Sequence, residues 1–182
     1  MFTSVDLEFL SYIVDKLPIA KGMNILDLGC GTGVLFDLLR RRVTDTGSIT
    51  GVDFSLEMAR KAHRNFPFTN VNVIDADALM LPFADSTFDM AVAFAAFPHF
   101  SDQRKTLDET HRVLKDKAKF FIIHLGSSKE ISEIHQRIGS VVENDGIPPA
   151  EKLREMFNSS KFINVTIEDH PGLYLASATN LK

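Results

Sequence analysis

Short apolar runs alternate along the chain with longer segments in which apolar residues recur every three or four positions. The short runs predict buried strands, and the longer segments predict amphipathic helices. Strands are predicted at about 23–28, 48–53, 71–74, 88–94, 119–125, 162–168 and 173–179. Helices are predicted at about 4–17, 33–42, 55–65, 101–115, 127–144 and 148–157. Because strands and helices alternate, we expect an α/β fold with a doubly wound, mostly parallel, seven-stranded sheet and helices on both faces.

A glycine-rich turn follows the first predicted strand. Gly29, Gly31 and Gly33 alternate with other residues just after Asp27, and glycine lets the backbone approach a ligand closely or adopt a positive φ. The helix that follows presents free backbone N–H groups in its first turn. The spacing differs from the dinucleotide fingerprint G-x-G-x-x-G, and a carboxylate at Asp27 would repel a pyrophosphate. The turn therefore predicts a nucleotide-type cofactor with a positively charged end near Asp27.

Acidic residues also follow the second and third predicted strands. Asp53 ends the second strand, a position from which a carboxylate accepts hydrogen bonds from ribose hydroxyls. Asp77 follows the third strand, where it would read the amino group of an adenine. Two structural alternatives stay open at these positions. Asp53 would cap the helix that begins near Ser55, and Asp77 would be a solvated loop residue.

Further motifs continue this order along the chain. They are Leu81-Pro82-Phe83, Ser86-Thr87-Phe88-Asp89, Pro98-His99-Phe100-Ser101-Asp102 and Arg112-Val113-Leu114-Lys115. With them, the region from Met23 to Ile123 resembles the class I S-adenosylmethionine-dependent methyltransferases. The resemblance implies S-adenosylmethionine as the cofactor, a small-molecule methyl acceptor and a last strand that runs antiparallel to the others.

The resemblance also implies roles for individual residues. The glycines would lie under the methionine part of the cofactor, Asp27 near its ammonium group, Asp53 at the ribose, and Asp77 with Ala78 beside the adenine. Phe54 and Met58 would supply apolar contacts around the base. The complete set assigned to cofactor binding is Asp27, Gly29, Cys30, Gly31, Gly33, Asp53, Phe54, Met58, Asp77, Ala78 and Phe94. Cys30 is the only cysteine, and its place between two glycines indicates a small filler and not a nucleophile.

Histidines near the ends of the predicted strands are the candidate catalytic residues. His99 follows the fourth strand and His124 ends the fifth, so both are expected near the carboxyl edge of the sheet, where ligands bind. Three interpretations compete: structural hydrogen bonding, acid–base catalysis by His124 and His99, and a metal site that includes His135. No cysteine pattern supports a metal site, and none is predicted. A base is required only when the acceptor atom carries a proton.

Two departures from the family pattern concern the acceptor and one turn. The segment Phe94–Pro98 replaces the Asn-Pro-Pro-Tyr-like element used on amino groups of bases and glutamine. Its absence disfavours methylation of nucleic acids and protein amides. The segment Asp116–Lys119 stands where the family usually turns with Pro-Gly-Gly, so the local turn is expected to differ.

Composition and charge fit one compact enzyme domain over residues 1–182. The chain has 182 residues, of which 45% are hydrophobic, and a formal net charge of −4; nucleic-acid binders usually carry a basic face. No apolar stretch is long enough for a membrane span, and no secretion signal is evident, so a cytoplasmic location without membrane partners is expected. Residues 1–20 are predicted as a lid helix and 126–160 as a helical wall of the acceptor site. A cofactor-binding sensor or partner subunit without transferase activity is the alternative, and the oligomeric state stays open.

Overall fold

The computed structural model describes residues 3–138 and 145–182. Its strands are β1 (Asn24–Leu28), β2 (Ser48–Asp53), β3 (Val71–Asp75), β4 (Phe88–Phe94), β5 (Leu114–His124), β6 (Phe162–His170) and β7 (Leu173–Asn180). Its α-helices are α1 (Ser4–Lys16), α2 (Phe36–Val43), α3 (Leu56–Asn65), α4 (Gln103–Val113), α5 (Ser128–Ile138) and α6 (Ala150–Ser159). A 3-10 turn, Phe97–His99, follows β4.

The seven strands form one sheet in the order β3-β2-β1-β4-β5-β7-β6. Strands β1 to β5 pair in parallel, whereas β7 runs antiparallel to both β5 and β6. The predicted fold class, including the antiparallel last strand, is confirmed. The order reverses between β1 and β4, and the carboxyl ends of these two strands open the crevice in which ligands of such sheets bind.

Each face of the sheet carries three helices. Because neighbouring strand residues point to opposite faces, Leu26 packs with α4, α5 and α6, while Ile25 packs with α1, α2 and α3. Helix α1 contributes Leu10 and Val14, both fully buried, to the second layer. Tyr12 is 58% exposed on the other side of that helix. The buried face of α1 is therefore part of the core, and the lid role of the helix stays a prediction.

Several element boundaries differ from the predicted ones. Helix α2 begins at Phe36, not at residue 33, because Gly33 adopts a φ of +87° that an α-helix cannot contain. Strand β5 begins at Leu114, not at 119, and its pairing with β4 shifts register across the Asp116–Lys119 segment, where Lys117 has a φ of 62°. A bulge thus replaces the expected turn. The predicted helix from 127 is observed as Ser128–Ile138, and its continuation over 139–144 lies outside the described residues.

Helix termini are fixed by side-chain caps that the sequence indicates. At α5, the Ser127 Oγ accepts from the Glu130 backbone N–H, and the Glu130 carboxylate accepts from the Ser127 N–H at 2.7 Å. This reciprocal pair is a capping box, which the spacing of Ser127 and Glu130 in the sequence indicates. Within the described ranges, none of the helices is both long and apolar enough to cross a membrane.

Candidate functional site

The glycine turn after β1 is held tightly against the neighbouring strand. The backbone N–H groups of Gly29 and Cys30 both donate to the Val52 carbonyl, at 2.8 and 3.0 Å. Gly29 has a φ of +69°, and a Cβ built on it would lie 2.5 Å from the Ala96 Cβ. At Gly31, with a φ of +54°, no heavy atom lies within 4 Å of a built Cβ. The turn is therefore closed on its protein side and open toward a ligand.

Two adjoining cavities meet at Gly29. The Asp53 cavity has a volume of about 340 Å³ and is lined by Gly29, Val52, Asp53, Phe54, Ala76, Asp77, Ala78, Leu79, His99, Phe100 and Ser101. The Asp27 cavity has a volume of about 260 Å³ and is lined by Asp27, Gly29, Cys30, Gly31, Thr32, Val34, Leu35, Met58, Phe94 and Ala95. Of the residues assigned to the cofactor, only Gly33 does not line either cavity. It belongs to the same glycine turn, where it has a φ of +87°. The structure brings the others together around one elongated space.

Asp27 places a buried carboxyl group in the second of these cavities. Its residue is only 2% exposed. Burial raises the pKa of Asp27 to about 8, and repulsion by the Asp53 carboxylate adds to the shift. In the ranges 3–138 and 145–182, no cation and no hydrogen-bond donor pairs with this carboxylate. Because burying an unpaired charge is unfavourable, the position suits a ligand that brings a positive charge.

Asp53 is positioned by two backbone hydrogen bonds. Its Oδ2 accepts from the Gly31 N–H at 2.7 Å, and its Oδ1 accepts from the Ser55 N–H at 2.9 Å. The N-cap of α3 is Ser55, whose Oγ accepts from the Met58 N–H, so the alternative in which Asp53 caps this helix is wrong. An ionised carboxylate has about four acceptor positions, and Asp53 keeps capacity for ligand hydroxyls at the cavity wall.

The far end of the Asp53 cavity combines an exposed ring with an acidic turn. Phe54 is 81% exposed, which leaves its face available to a flat apolar group. Asp77 is exposed, and its Oδ1 accepts from the Leu79 N–H at 2.9 Å. Ala78 is buried beside it. The bond within the turn is compatible both with a solvated loop acid and with a base-reading role for Asp77, so that role stays a prediction.

Cys30 and Phe94 are buried at the wall of the Asp27 cavity. Burial raises the pKa of the Cys30 thiol well above its usual range, and repulsion by Asp27 and Asp53 raises it further. The thiol is therefore protonated at neutral pH and a poor nucleophile. The geometry agrees with the interpretation of Cys30 as a small filler.

Asp145 joins two of the three candidate histidines. The His99 Nδ1 lies 2.7 Å from the Asp145 Oδ2, and the His135 Nδ1 donates to the Asp145 backbone carbonyl at 2.7 Å. The His99 and His135 rings lie 5.0 Å apart between centroids. His99 also lines the Asp53 cavity. No group of three potential ligands around one metal position exists in the part of the chain that the structure describes.

His124 lies deeper than the other two histidines. It is 5% exposed and is not among the residues that line the two cavities. Burial, together with the nearby imidazoles of His99 and His135, lowers the pKa of His124 to about 3. Its Nε2 has no hydrogen-bond partner among the described residues. His124 is thus a neutral, buried imidazole, and its catalytic role stays a prediction.

Sequence reasoning missed Asp145 and the residue that holds its loop. The Gln103 side-chain amide donates to the Phe97 carbonyl at 3.3 Å and to the Gly146 carbonyl at 3.0 Å. Helix α4 is thereby tied to the segment that carries Asp145. Neither residue belongs to a periodic pattern or to a recognisable motif, and Asp145 lies 46 positions from His99.

Comparisons with known proteins agree with this geometry. A family model described as a methyltransferase domain matches residues 26–122, more than half of the 182 residues. The chain is 37% identical over 139 residues to a 2-phytyl-1,4-naphtoquinone methyltransferase of Nostoc sp., and the match covers 72% of this chain and 59% of that relative. The chain therefore spans less than two thirds of that relative's length.

A second relative is matched over more of its length. The chain is 30% identical to the ubiquinone/menaquinone biosynthesis C-methyltransferase UbiE of Klebsiella pneumoniae, with coverage of 85% of this chain and 72% of the relative. Among solved structures, a SAM dependent methyltransferase from Aquifex aeolicus has a TM-score of 0.74 at 18% identity and covers 100% of both chains; this likeness concerns the fold. Together with the family match, these relatives show that the chain belongs to the class I S-adenosylmethionine-dependent methyltransferases.

Proposed function

We propose that this protein transfers the methyl group of S-adenosylmethionine to a small-molecule acceptor. The single observation that carries the proposal is Asp27, a buried carboxyl to which no cation among the described residues is paired, beside a glycine turn that opens toward a ligand at Gly31. S-adenosylmethionine carries an ammonium group and an activated methyl group on a cationic sulfur. A site with a buried acid that ionises next to a positive charge fits such a cation better than it fits a pyrophosphate.

The residues of the two cavities fit the remaining parts of the cofactor. Asp53, held by two backbone N–H groups, would accept hydrogen bonds from the ribose hydroxyls. The exposed ring of Phe54 would cover the adenine, with Asp77 and Ala78 at its edge. Met58 would complete the apolar wall on the methionine side. In this arrangement the protein mainly binds, orients and excludes water, which supplies much of the rate enhancement in bimolecular transfers.

The acceptor class is proposed from the relatives. Both relatives named above methylate quinone-type molecules, according to their names. A reduced naphthoquinone that lacks the transferred methyl group is therefore the first acceptor to test. The formal net charge of −4 gives no general attraction for polyanions, which supports a small acceptor over a nucleic acid.

The test is a transfer assay with methyl-labelled S-adenosylmethionine. Purified protein is incubated with reduced 2-phytyl-1,4-naphthoquinone in one arm and with a small-metabolite extract in the other. We expect a labelled small product in at least one arm with the wild-type protein. We expect no labelled product with the Asp53→Ala variant when the cofactor concentration is high enough to saturate the wild type but too low to saturate the variant. Cofactor binding by calorimetry without a labelled product in either arm would refute transferase activity and favour a sensor or partner subunit.

A further inference from the structure

A wide groove lies next to the Asp53 cavity. The groove, which we call the Asp145 groove, has a volume of about 720 Å³, and its walls include Phe100, Asp145, Ile147 and Met156. Phe100 and Ser101 line both spaces. The groove and the cofactor cavities are therefore separated only by the segment that follows β4.

The hydrogen bond between His99 and Asp145 joins the walls of these two spaces. His99 belongs to the wall of the Asp53 cavity, and Asp145 belongs to the wall of the groove. The Nδ1-to-Oδ2 distance is 2.7 Å. Asp145 is itself held in place because its backbone carbonyl accepts from His135 and because Gln103 fixes the next residue, Gly146. The pair is thus supported by contacts from α4 and α5.

This hydrogen bond determines which nitrogen of His99 carries the proton. An ionised carboxylate only accepts hydrogen bonds, so the Nδ1 of His99 carries the hydrogen in the bond to Asp145. In a neutral imidazole the Nε2 then holds a lone pair. Since Nδ1 is occupied by Asp145, Nε2 is the nitrogen left for a ligand. His99 therefore has the tautomer that a general base requires.

We propose that His99, oriented by Asp145, is the general base that removes a proton from an acceptor that enters through the Asp145 groove and reaches the Asp53 cavity, whose wall His99 forms. The proposal rests on the proposed methyltransferase function and adds to it the side of the site from which the acceptor enters. It also narrows the acceptor chemistry, because a base is useful only when the atom that receives the methyl group carries a proton, as in a hydroxyl or an acidic C–H group. A thioether or a neutral tertiary amine would not need it.

The proton and electron balance of the step is complete without a further reactant. As the acceptor attacks, its O–H or C–H bond breaks and the proton passes to the His99 Nε2. The electron pair of that bond, or a lone pair of the same atom, forms the new bond to the methyl carbon. The electron pair of the carbon–sulfur bond stays on sulfur. The Asp145 carboxylate stabilises the resulting imidazolium, and the proton then leaves to solvent.

The first test measures the tautomer without turnover. Nitrogen-15 NMR of histidine-labelled protein at neutral pH should show His99 protonated at Nδ1 and unprotonated at Nε2. The Asp145→Asn variant keeps the shape of the side chain, but its amide can donate to Nδ1. We expect this variant to move the His99 proton to Nε2. A wild-type His99 that is protonated at Nε2 would overturn the proposal.

The second test uses turnover with the acceptor identified by the transfer assay. His99→Ala should lower kcat/KM by about 10²- to 10⁴-fold, the usual contribution of general base catalysis, and added imidazole should restore part of the rate. Asp145→Asn should lower kcat with a smaller change in KM, and Asp145→Glu should recover part of the loss. His63→Ala is the matched control, because His63 is exposed on α3 beside Val73, away from both cavities and the groove.

The outcomes separate this proposal from the proposed function. If the wild type methylates an acceptor and His99→Ala does so at a similar rate, the base assignment is wrong and the methyltransferase function stands. If His99→Ala loses activity but imidazole does not restore it and the cofactor affinity falls equally, His99 has a structural role only. If the wild type methylates nothing, both fail.

Discussion

Replacing Asp27 by asparagine removes a buried carboxyl group while it preserves the shape of the side chain. In the folded protein the pKa of Asp27 is raised from 3.8 to about 8. Between these two values the unfolded chain is ionised at this position, whereas the folded protein keeps the proton. The folded state thus binds more protons, and linkage requires that its stability falls as the pH rises from about 4 to 8.

The magnitude follows from the size of this pKa difference. One pH unit corresponds to about 1.4 kcal/mol, and neutral pH lies about three units above the unfolded value. The carboxyl group therefore destabilises the ligand-free protein by about 4 kcal/mol at pH 7. Asparagine does not titrate, so Asp27→Asn should be more stable than the wild type by this amount at pH 7, and nearly equal to it at pH 4.

Urea unfolding of both proteins at pH 5, 6, 7 and 8 is the measurement. The difference in unfolding free energy between them should grow by about 1.4 kcal/mol per pH unit, while other titrating groups cancel in the comparison. Asp45→Asn, at an exposed loop carboxylate, is the matched control for the change of formal charge. A difference between wild type and Asp27→Asn that does not vary with pH would refute the reasoning.

The same variant should bind S-adenosylmethionine more weakly, because the ammonium group would lose the carboxylate that we propose pairs with it. We expect a loss of about 1.5 to 3 kcal/mol, the range for a hydrogen bond to a charged group. Stability and cofactor affinity would then change in opposite directions. A variant that is more stable and also binds the cofactor as tightly as the wild type would show that Asp27 does not contact the ammonium group.

Three further predictions concern other residues of the site. Asp53→Ala should weaken cofactor binding by about 1.5 to 3 kcal/mol in calorimetry, and an unchanged affinity would contradict the ribose role. Gly29→Ala should destabilise the fold by about 1 to 3 kcal/mol through its positive φ alone, with a further loss from the 2.5 Å approach to Ala96; Gly126→Ala, with no contact closer than 3.7 Å, is the control in thermal melts. The pKa of His124 is lowered to about 3 in the folded protein. Between pH 6.5 and 3 the unfolded chain therefore binds a proton at His124 and the folded protein does not, so the free energy of unfolding falls as the pH drops below 6.5. His124→Gln should remove about 2 kcal/mol of this loss at pH 5, and an identical acid dependence of both proteins would contradict the burial of the imidazole.

The sequence could predict that the residues assigned to the cofactor lie together, because they are close to one another along the chain. Asp27, the glycine turn and Asp53 lie within one strand–turn–helix–strand unit, and each residue type is required by local backbone geometry or by strand-end chemistry. The same locality explains why the seven strands were found. The start of β5 was missed because the bulge at Lys117 breaks the apolar alternation on which strand prediction depends.

The acceptor side could not be predicted in the same way, because its residues meet only through tertiary structure. His99 follows β4, whereas Asp145 precedes α6 and lies 46 positions away. His124 was predicted to be an acid–base catalyst because it ends a strand at the carboxyl edge of the sheet. That argument locates the backbone of the residue, but it does not determine where its side chain lies. In the fold, burial removes His124 from the cavity walls, while the bond to Asp145 turns His99 into the tautomer that a base requires.

The two sides of the site are therefore held by different parts of the fold. The cofactor cavities depend on β1, β2 and the turns that follow them, which the core on both faces of the sheet fixes. One wall of the Asp145 groove is the segment Asp145–Pro148, whose backbone carbonyls at Asp145 and Gly146 accept hydrogen bonds from His135 and Gln103. Backbone contacts of this kind tolerate side-chain changes in the loop, so acceptor preference can change there without loss of the methyl-donor site. Family membership consequently determines the cofactor of this protein more firmly than its acceptor, and His99 with Asp145 is where the acceptor must be sought.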